Sequence, residues 1–588
     1  VVVTARRREE TIQDVPIPVT ALSGEDLKDR GAQDLRDLTR VTPNMDFQRA
    51  ASNKNTAQVF LRGIGQVNWT PTQDPKIGTY LNGVYLGRPQ GGVFDLMDVE
   101  RVEVLRGPQG TLFGRNTTAG LVHVITNKPT DEFDFSVSAG VGNDSAIDGE
   151  VMVNVPIADN FAARFALKHR ESDGFVENTG TGDDWNDEDA QNARLSLRWT
   201  PSDAMTADLI LDYQRARENA GLGQCEWTEP DNGAESQAFL PSIAFIFGVY
   251  DEIRDTCNAT RPYRSSENDP ADSEVDAWGA TLDLNFDLGW ADLTSITAYR
   301  EVEDLNASWG WGSDTVGTAS FLEVIGLRDN ESEQWSQEFR LAGTAMEGDL
   351  DWVVGVYAFE EDAVNYLDVP LFRDVAAPDC AVWPVFCIPS GIPGVPTLGD
   401  LALAVQIGGS RSQVIDATNS SEAVFGEVTW RFAEDWSVTA GARFSRDERE
   451  FTRSEILLIG FPDPALRCPD GSLPRNGTTC ERDTDFSELT PRIILSWDVA
   501  ENAMLYLGWS EGYSSGGFNQ DVRMRPFKPE ISGNWEGGLK STWFDNRFLF
   551  NLTMFHNSYE NQQITVGRLV DGNPTADLIN AQEAELYG

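Results

Sequence analysis

Residues that could run a reaction are sparse in this chain. It has three histidines, His123, His169 and His556, and no nucleophile, base and orienter set forms around them. His123 lies inside the apolar alternation LVHVIT and reads as a packed residue rather than a haem ligand. No G-x-x-x-x-G-K-S/T loop is present to cradle a nucleotide phosphate. The acidic run DDWNDEDA, 183 to 190, has enough carboxylates for calcium, but its spacing is irregular and it reads as a solvated loop. No enzyme activity, cofactor or metal site is therefore expected. The six cysteines stand in close-spaced pairs: Cys225 with Cys257, Cys380 with Cys387, and Cys468 with Cys480. These spacings are not those of zinc knuckles, and three local disulfides made in an oxidising compartment are expected.

More informative is VERVEVLRGPQGTLFGRNTTAG, residues 99 to 120. Apolar and charged residues alternate, as on a strand with one wet face. The glycines at 107, 110, 114 and 120 then suggest tight turns. Such a stretch suits a compact wedge inside polar surroundings, and the rest of the chain must supply them.

From residue 133 onward, segments of about ten residues alternate apolar and polar, the pattern of transmembrane barrel strands. FDFSVSAGVG, AARFALKHRE, WGATLDLNFDLG, AVFGEVTWRF and FLFNLTMFHNSYE are examples. The connectors alternate short and long. PIADNF, TPSDAM, FAEDW and FDNR are short; 172 to 190, 218 to 274, 304 to 331, 363 to 421, 450 to 485 and 514 to 531 are long. Short turns at one end and long loops at the other describe an outer-membrane barrel, with every cysteine pair at the long-loop end. Trp199, Trp290, Trp430, Trp436, Trp497, Trp509 and Trp543 flank strand ends, where an interfacial girdle belongs. About fifteen strands precede the final NAQEAELYG, where a sixteenth would begin. An edge open to lipid is not tolerated, so the chain is expected to continue beyond residue 588. It opens on VVVTARRREE with no signal peptide, and is expected to have been trimmed there.

Residues 1 to 129 read as a small α+β unit ahead of the barrel. SGEDLKDRGAQDLRDLTRVTP is helical in pattern, with Ser23 as N-cap and Pro43 as stop. QVFLRGIG, TYLNGVYL, VERVEVLRG and LVHVITNKP follow as short strands. The net charge of -48, from 94 acidic and 46 basic residues, excludes a nucleic-acid binder that relies on a positive surface. The longest apolar run, AFLPSIAFIFGVY at 238 to 250, is too short and interrupted for a membrane-spanning helix. That does not exclude a membrane, because barrel strands need no such run.

These motifs resemble the TonB-dependent receptors, the plugged outer-membrane transporters of Gram-negative bacteria. VVVTA is similar to the TonB box. DVPIPVTALSGEDL, FLRGIG, YLNGVYLG, DVERVEVLRGPQGTLFGRNTTAGLVHVITNKP, SQEFRLAG, LTPRIILSW and YLGWSEGYSSGGFN are similar to the family's plug and barrel signatures. The resemblance implies a membrane all-β fold: an antiparallel barrel of about 22 strands, of which about 15 to 16 are present here. Residues 1–129 would be TonB box and plug, and 130–588 an incomplete barrel.

The resemblance further implies a division of labour among named residues. Val1, Val2, Val3, Thr4 and Ala5 would add as a strand to a sheet of TonB, the inner-membrane energy-transducing partner. Gln66, Asn68, Trp69, Gln73, Arg88 and Gln90, in the apical segments 63 to 76 and 87 to 94, would offer donors and one stacking ring to a chelate or sugar. Arg62 and Arg106, in LRG units, would contact Glu338 and Glu536 on barrel strands and lock plug to barrel. The implied activity is TonB-driven uptake of a scarce ligand by a monomer embedded in outer-membrane lipid and lipopolysaccharide. A ferric siderophore or other iron complex is the first expectation, and an oligosaccharide, cobalamin or another nutrient the second. A plug argues against a passive porin.

Overall fold

The structure is a computed structural model. It describes residues 2–50, 53–66, 70–93, 95–178, 184–219, 264–265, 272–306, 327–370, 410–457, 479–519, 524–545, 547–570 and 573–588.

The first 126 residues build the plug from short strands: β1 (Val2–Val3), β2 (Glu10–Thr11), β3 (Val19–Ser23), β4 (Met45–Ala50), β5 (Asn53–Leu61), β6 (Ile64–Gly65), β7 (Ile77–Leu81), β8 (Val84–Leu86), β9 (Val99–Arg106) and β10 (Gly120–Thr126). The main plug sheet has the order β3-β9-β10-β7-β8. Only β10 and β7 run parallel in it. The expected single helix is two pieces: α1 (Gly24–Asp29) and a 3-10 turn at Leu35–Arg40. Ser23 does cap α1, in a reciprocal capping box with Asp26. The break follows from Gly31 at φ +65, a left-handed residue that ends the helix before its apolar face is complete. Leu22, Leu27, Leu35, Leu38, Val102 and Val122 share one buried core, so both pieces lie on the sheet that the apolar alternation built.

The barrel strands are β11 (Asp134–Val141), β12 (Ile147–Ala158), β13 (Phe161–Ser172), β15 (Glu188–Ser202), β16 (Met205–Asn219), β18 (Asp272–Asp287), β19 (Asp292–Asn306) and β20 (Leu327–Ala345), then β21 (Leu350–Pro370), β22 (Ser410–Ala433), β23 (Trp436–Leu457), β24 (Thr479–Ala500), β25 (Ala503–Ser514), β28 (Glu530–Trp543), β29 (Phe548–Val570) and β30 (Asn573–Tyr587). They form one 16-stranded antiparallel sheet in sequence order from β11 to β30. Two strand pairs lie outside it: β14 (Glu177–Asn178) with β17 (Arg264–Ser265), and β26 (Gly517–Phe518) with β27 (Pro526–Phe527).

Period two sorts the side chains. On β13, Phe165 and Leu167 face out while Arg164, Lys168 and Arg170 are buried inside. On β24, Leu489, Ile493, Leu495 and Trp497 face out while Thr490, Arg492 and Ser496 face in. Trp199, Trp290, Trp430, Trp497 and Trp543 are exposed, as girdle residues should be, and Trp436 stacks on Trp497 at 5.1 Å.

Strands β20 to β24 run 19 to 24 residues, about twice the length expected. Their upper halves turn polar on the outer face, at Glu360 and Asp362 for example, where no lipid demands apolar groups. The hydrogen-bonded ladder continues there without the pattern that announces a strand.

Candidate functional site

The N-terminal arm is anchored both to the plug sheet and to the barrel wall. Val2 and Val3 pair with Thr11 and Glu10, so the β-branched residues do make a strand, but within their own chain. Val3 and Ala5 have no exposed surface. The backbone N–H of Thr4 donates to Glu103 Oε1 at 2.8 Å, and Arg101 donates to the same oxygen at 2.8 Å. Three consecutive arginines then reach three barrel strands: Arg6 to Glu427 at 3.0 Å, Arg7 to Glu338 at 3.3 Å and Arg8 to Asp351 at 3.1 Å. The Arg7 guanidinium also lies over the Phe113 ring, 4.4 Å from its centroid. Val1 lies outside the described residues.

This arm corrects the wet face expected of β9. Only Glu100 on that strand is exposed, and Glu103 is fully buried. The alternating charges are there because the arm covers them: Glu103 is the acceptor that Thr4 and Arg101 share. Burial raises its carboxyl above the usual range, against the pull of Arg101 and Thr4 in the other direction.

Of the four proposed locking residues, one pair meets. Arg62 donates to Glu536 at 2.8 Å, both buried, with its guanidinium 3.7 Å from the Phe555 ring centroid. Glu338 is not the partner of Arg62 or Arg106, because Arg7 and Arg340 occupy it. Arg106 makes no ion pair among the described residues. Burial and neighbouring Arg62 lower its pKa, and only Glu536 and Tyr506 favour its charge.

The apical residues also differ from expectation. Gln66 donates to Gln73 at 2.8 Å. Gln73, Arg88 and Gln90 are buried rather than presented to an outside ligand. Arg88 forms a two-pronged pair with Glu361 on β21, at 2.7 and 2.5 Å, and donates to the carbonyls of Thr70, Pro71 and Gln73. Its chemistry is spent holding the 70–73 loop against the wall. Asn68 and Trp69 lie outside the described residues.

Sequence reasoning passed over several residues of this interface. Asp74 pairs with Arg449 and accepts from Asn116 at 2.9 Å. Burial alone would raise the Asp74 carboxyl, but Arg449, Arg115 and Arg88 outweigh it and hold it well below the usual range. Lys76 pairs with Glu530 at 2.6 Å and Arg115 with Asp447 at 3.5 Å. The Arg6–Arg8 run beside VVVTA was the available signal; the others are single charges with no pattern around them.

Gly110 and Gly114 serve different ends. Gly114 has φ +88, and a Cβ there would stand 2.9 Å from the Arg443 guanidinium. Gly110 sits in the short helix α2 (Gly110–Phe113), where a Cβ would meet the Glu511 carbonyl at 2.8 Å; it allows close approach to the wall rather than a turn. His123 is a packed residue: its Nε2 accepts from the Gly83 N–H at 2.9 Å, and burial pushes its pKa well below the ordinary value.

The described part of the acidic run folds onto a lysine. Lys54 donates to the Asp187 carbonyl, and Asn219 N–H donates to Asp187 Oδ1 at 2.6 Å. No group of three or more His, Cys, Asp or Glu able to hold a metal occurs among the described residues. Cys480 is disulfide-bonded; Cys225, Cys257, Cys380, Cys387 and Cys468 lie outside the described residues.

Comparison with known proteins places this architecture. Residues 228–588 match the family described as TonB dependent receptor-like, beta-barrel, and residues 11–121 match the TonB-dependent Receptor Plug Domain. The chain is 22% identical over 589 residues to the catecholate siderophore receptor Fiu of Escherichia coli, covering 94% of this chain and 70% of that one. It is 23% identical over 374 residues to the vitamin B12 transporter BtuB of Vibrio vulnificus, covering 62% of this chain and 51% of that one. The match thus spans about half the length of BtuB. Among solved structures, the ferric yersiniabactin uptake receptor FyuA from Yersinia pestis superposes with a TM-score of 0.73 at 18% identity, over 97% of this chain and 74% of that one. The closed form of Fiu superposes with a TM-score of 0.69 at 17% identity, over 99% and 78%. A strand-built plug inside a sequential antiparallel sheet, matched by both family descriptions, makes this chain a member of the TonB-dependent receptors.

Proposed function

We propose that the protein works in the outer membrane as an energy-driven importer of a ferric chelate. The observation that carries this reading is the N-terminal arm. Residues 2–8 are fastened at one end to the plug sheet through Glu103 and at the other to three barrel strands. A pull on residues 1–5 by TonB would be delivered to both bodies at once. Strand addition would first need β1 to leave β2 and Thr4 to leave Glu103. Glu103 would then be a buried carboxylate with Arg101 as its remaining partner, which weakens β9, the second strand of the plug sheet. The pull thus loosens the plug from inside.

The iron reading is supported by two relatives whose names specify siderophore or ferric ligands, Fiu and FyuA. The BtuB relative favours a second reading, uptake of cobalamin. Oligosaccharide uptake is a third use of the same architecture. The abundance of the protein in outer membranes of source cells, grown with and without iron, separates them. Strong induction on iron starvation is expected. No response to iron would move the ligand to cobalamin or an oligosaccharide.

A further inference from the structure

Charge is not spread evenly over the lumen wall. From β21 to β28 the wall mixes signs: Glu361, Glu427, Asp447, Glu530 and Glu536 each pair with a plug cation, and Arg443, Arg449, Arg492 and Lys540 are buried among them. The inner face of β13 and β15 is dominated by one sign: Arg164, Lys168, Arg170 and Arg194 are all buried there. Arg164 holds Asp98 with two hydrogen bonds, at 2.7 and 2.6 Å. Arg170 and Lys168 lie 3.0 and 3.6 Å from Asp95. Arg194 donates to the Met97 carbonyl at 2.8 Å. Asp34 of the plug and Glu188 of the wall stand farther off, each 3.9 Å from Arg170. Elsewhere charges are matched within the wall, Arg198 at the end of β15 with Asp208 of β16, and Arg300 of β19 with Asp212 of β16.

Two properties of this face go together. Its close counter-charges come from one plug segment, 95–98, so they leave when that segment leaves. Most of its other inward positions are small, Ala162, Ala166, Ala190 and Ser196, with Asn192 donating to Asp95 among them. The wall from β21 to β28 is instead filled by Tyr357, Phe359, Phe425 and Tyr506. From Arg164 to Arg170 the cations extend about 20 Å along the strand, a large part of the membrane thickness. In a chain of net charge -48, this is a smooth cationic groove covered by carboxylates.

We propose that the inner face of β13 and β15 is the transit surface for an anionic ligand, with Asp95 and Asp98 standing in for the ligand's negative groups until the plug moves. The proposal rests on the uptake reading above and narrows it to chelates of net negative charge. Two of the four cations can be neutralised without freeing the plug. Arg170 and Asn192 still hold Asp95, and Arg164 still holds Asp98. The test is therefore uptake of a trianionic ferric tricatecholate and a neutral ferric trihydroxamate, both carrying radiolabelled iron, by cells expressing the protein or its K168Q/R194Q variant. The ratio of trianionic to neutral uptake rates should fall about tenfold, the low end of what a focused field does to local concentration. Lys168→Arg should keep the parental ratio. An unchanged ratio in the double variant would overturn the transit surface, as would a parent protein that takes up the neutral chelate alone. A parent that takes up neither overturns the uptake reading itself.

Discussion

At the scale of single residues, burial decides what a charge is worth. Arg62 and Glu536 are both buried, so breaking the pair from one side leaves an uncompensated charge. Glu536→Gln should therefore cost about 3–5 kcal/mol of local stability. The readout is hydrogen exchange at the 61–65 turn and at β9, which should speed up; unchanged protection would remove the locking role from this pair. His123 makes a pH prediction. Its folded pKa is depressed, so as pH falls below about 6.5 the opened plug binds a proton that the closed plug refuses. Closure should weaken by about 1.4 kcal/mol per pH unit below that point. His123→Gln should flatten the profile, and an equally steep profile in the variant would assign the slope to other groups. Asp74 gives a stability contribution that is lost at a lower pH than a free carboxylate titrates. With its folded pKa depressed, its pairing with Arg449 stabilises the plug fully above the usual carboxylate range. The contribution is lost only as pH drops below that range toward the folded value. Asp74→Asn should therefore loosen the 70–76 loop at neutral pH and make no difference in strong acid, as read by proteolysis of that loop.

At the scale of elements, the N-terminal arm is a strand already in use. Arg6, Arg7 and Arg8 fasten it to β22, β20 and β21, and Thr4 fastens it to β9. Replacing all three arginines with glutamine should raise the maleimide labelling rate of a Val3→Cys probe at least about tenfold, since even one broken buried pair outweighs that factor. Equal rates with and without the arginines would mean that β1–β2 pairing alone hides the arm. The elements were legible to different depths. Strands β7 to β10 and the membrane-embedded halves of the barrel strands follow directly from apolar alternation. The upper halves of β20 to β24 do not, because their outer faces meet water and carry Glu360, Asp362 and Glu448 where a lipid-facing strand would carry Leu or Val. The broken helix at Gly31 was equally hidden, since its two halves share one apolar face on the plug sheet.

At the scale of the whole molecule, the sixteen-stranded sheet and the plug inside it were legible from connector lengths and from the long motif at 99–120. The interface between them was not. Which arginine meets which glutamate depends on how the plug sits in the lumen, and single charges such as Asp74, Asp95 and Asp98 carry no local pattern. The same reason explains Arg88: in sequence it is a polar residue beside a glycine-rich apex, and only the assembled lumen brings Glu361 to it. The assembled molecule is a wedge keyed by charge into the barrel wall, with its N-terminal arm tied to both. The most direct measurement is uptake of a radiolabelled ferric chelate by cells with and without TonB, comparing the parent protein with Thr4→Pro. Uptake that needs TonB and is abolished by Thr4→Pro, with surface binding of the chelate retained, is the expected result. Uptake that persists without TonB, or that Thr4→Pro leaves untouched, would contradict a transport cycle driven through the N-terminal arm.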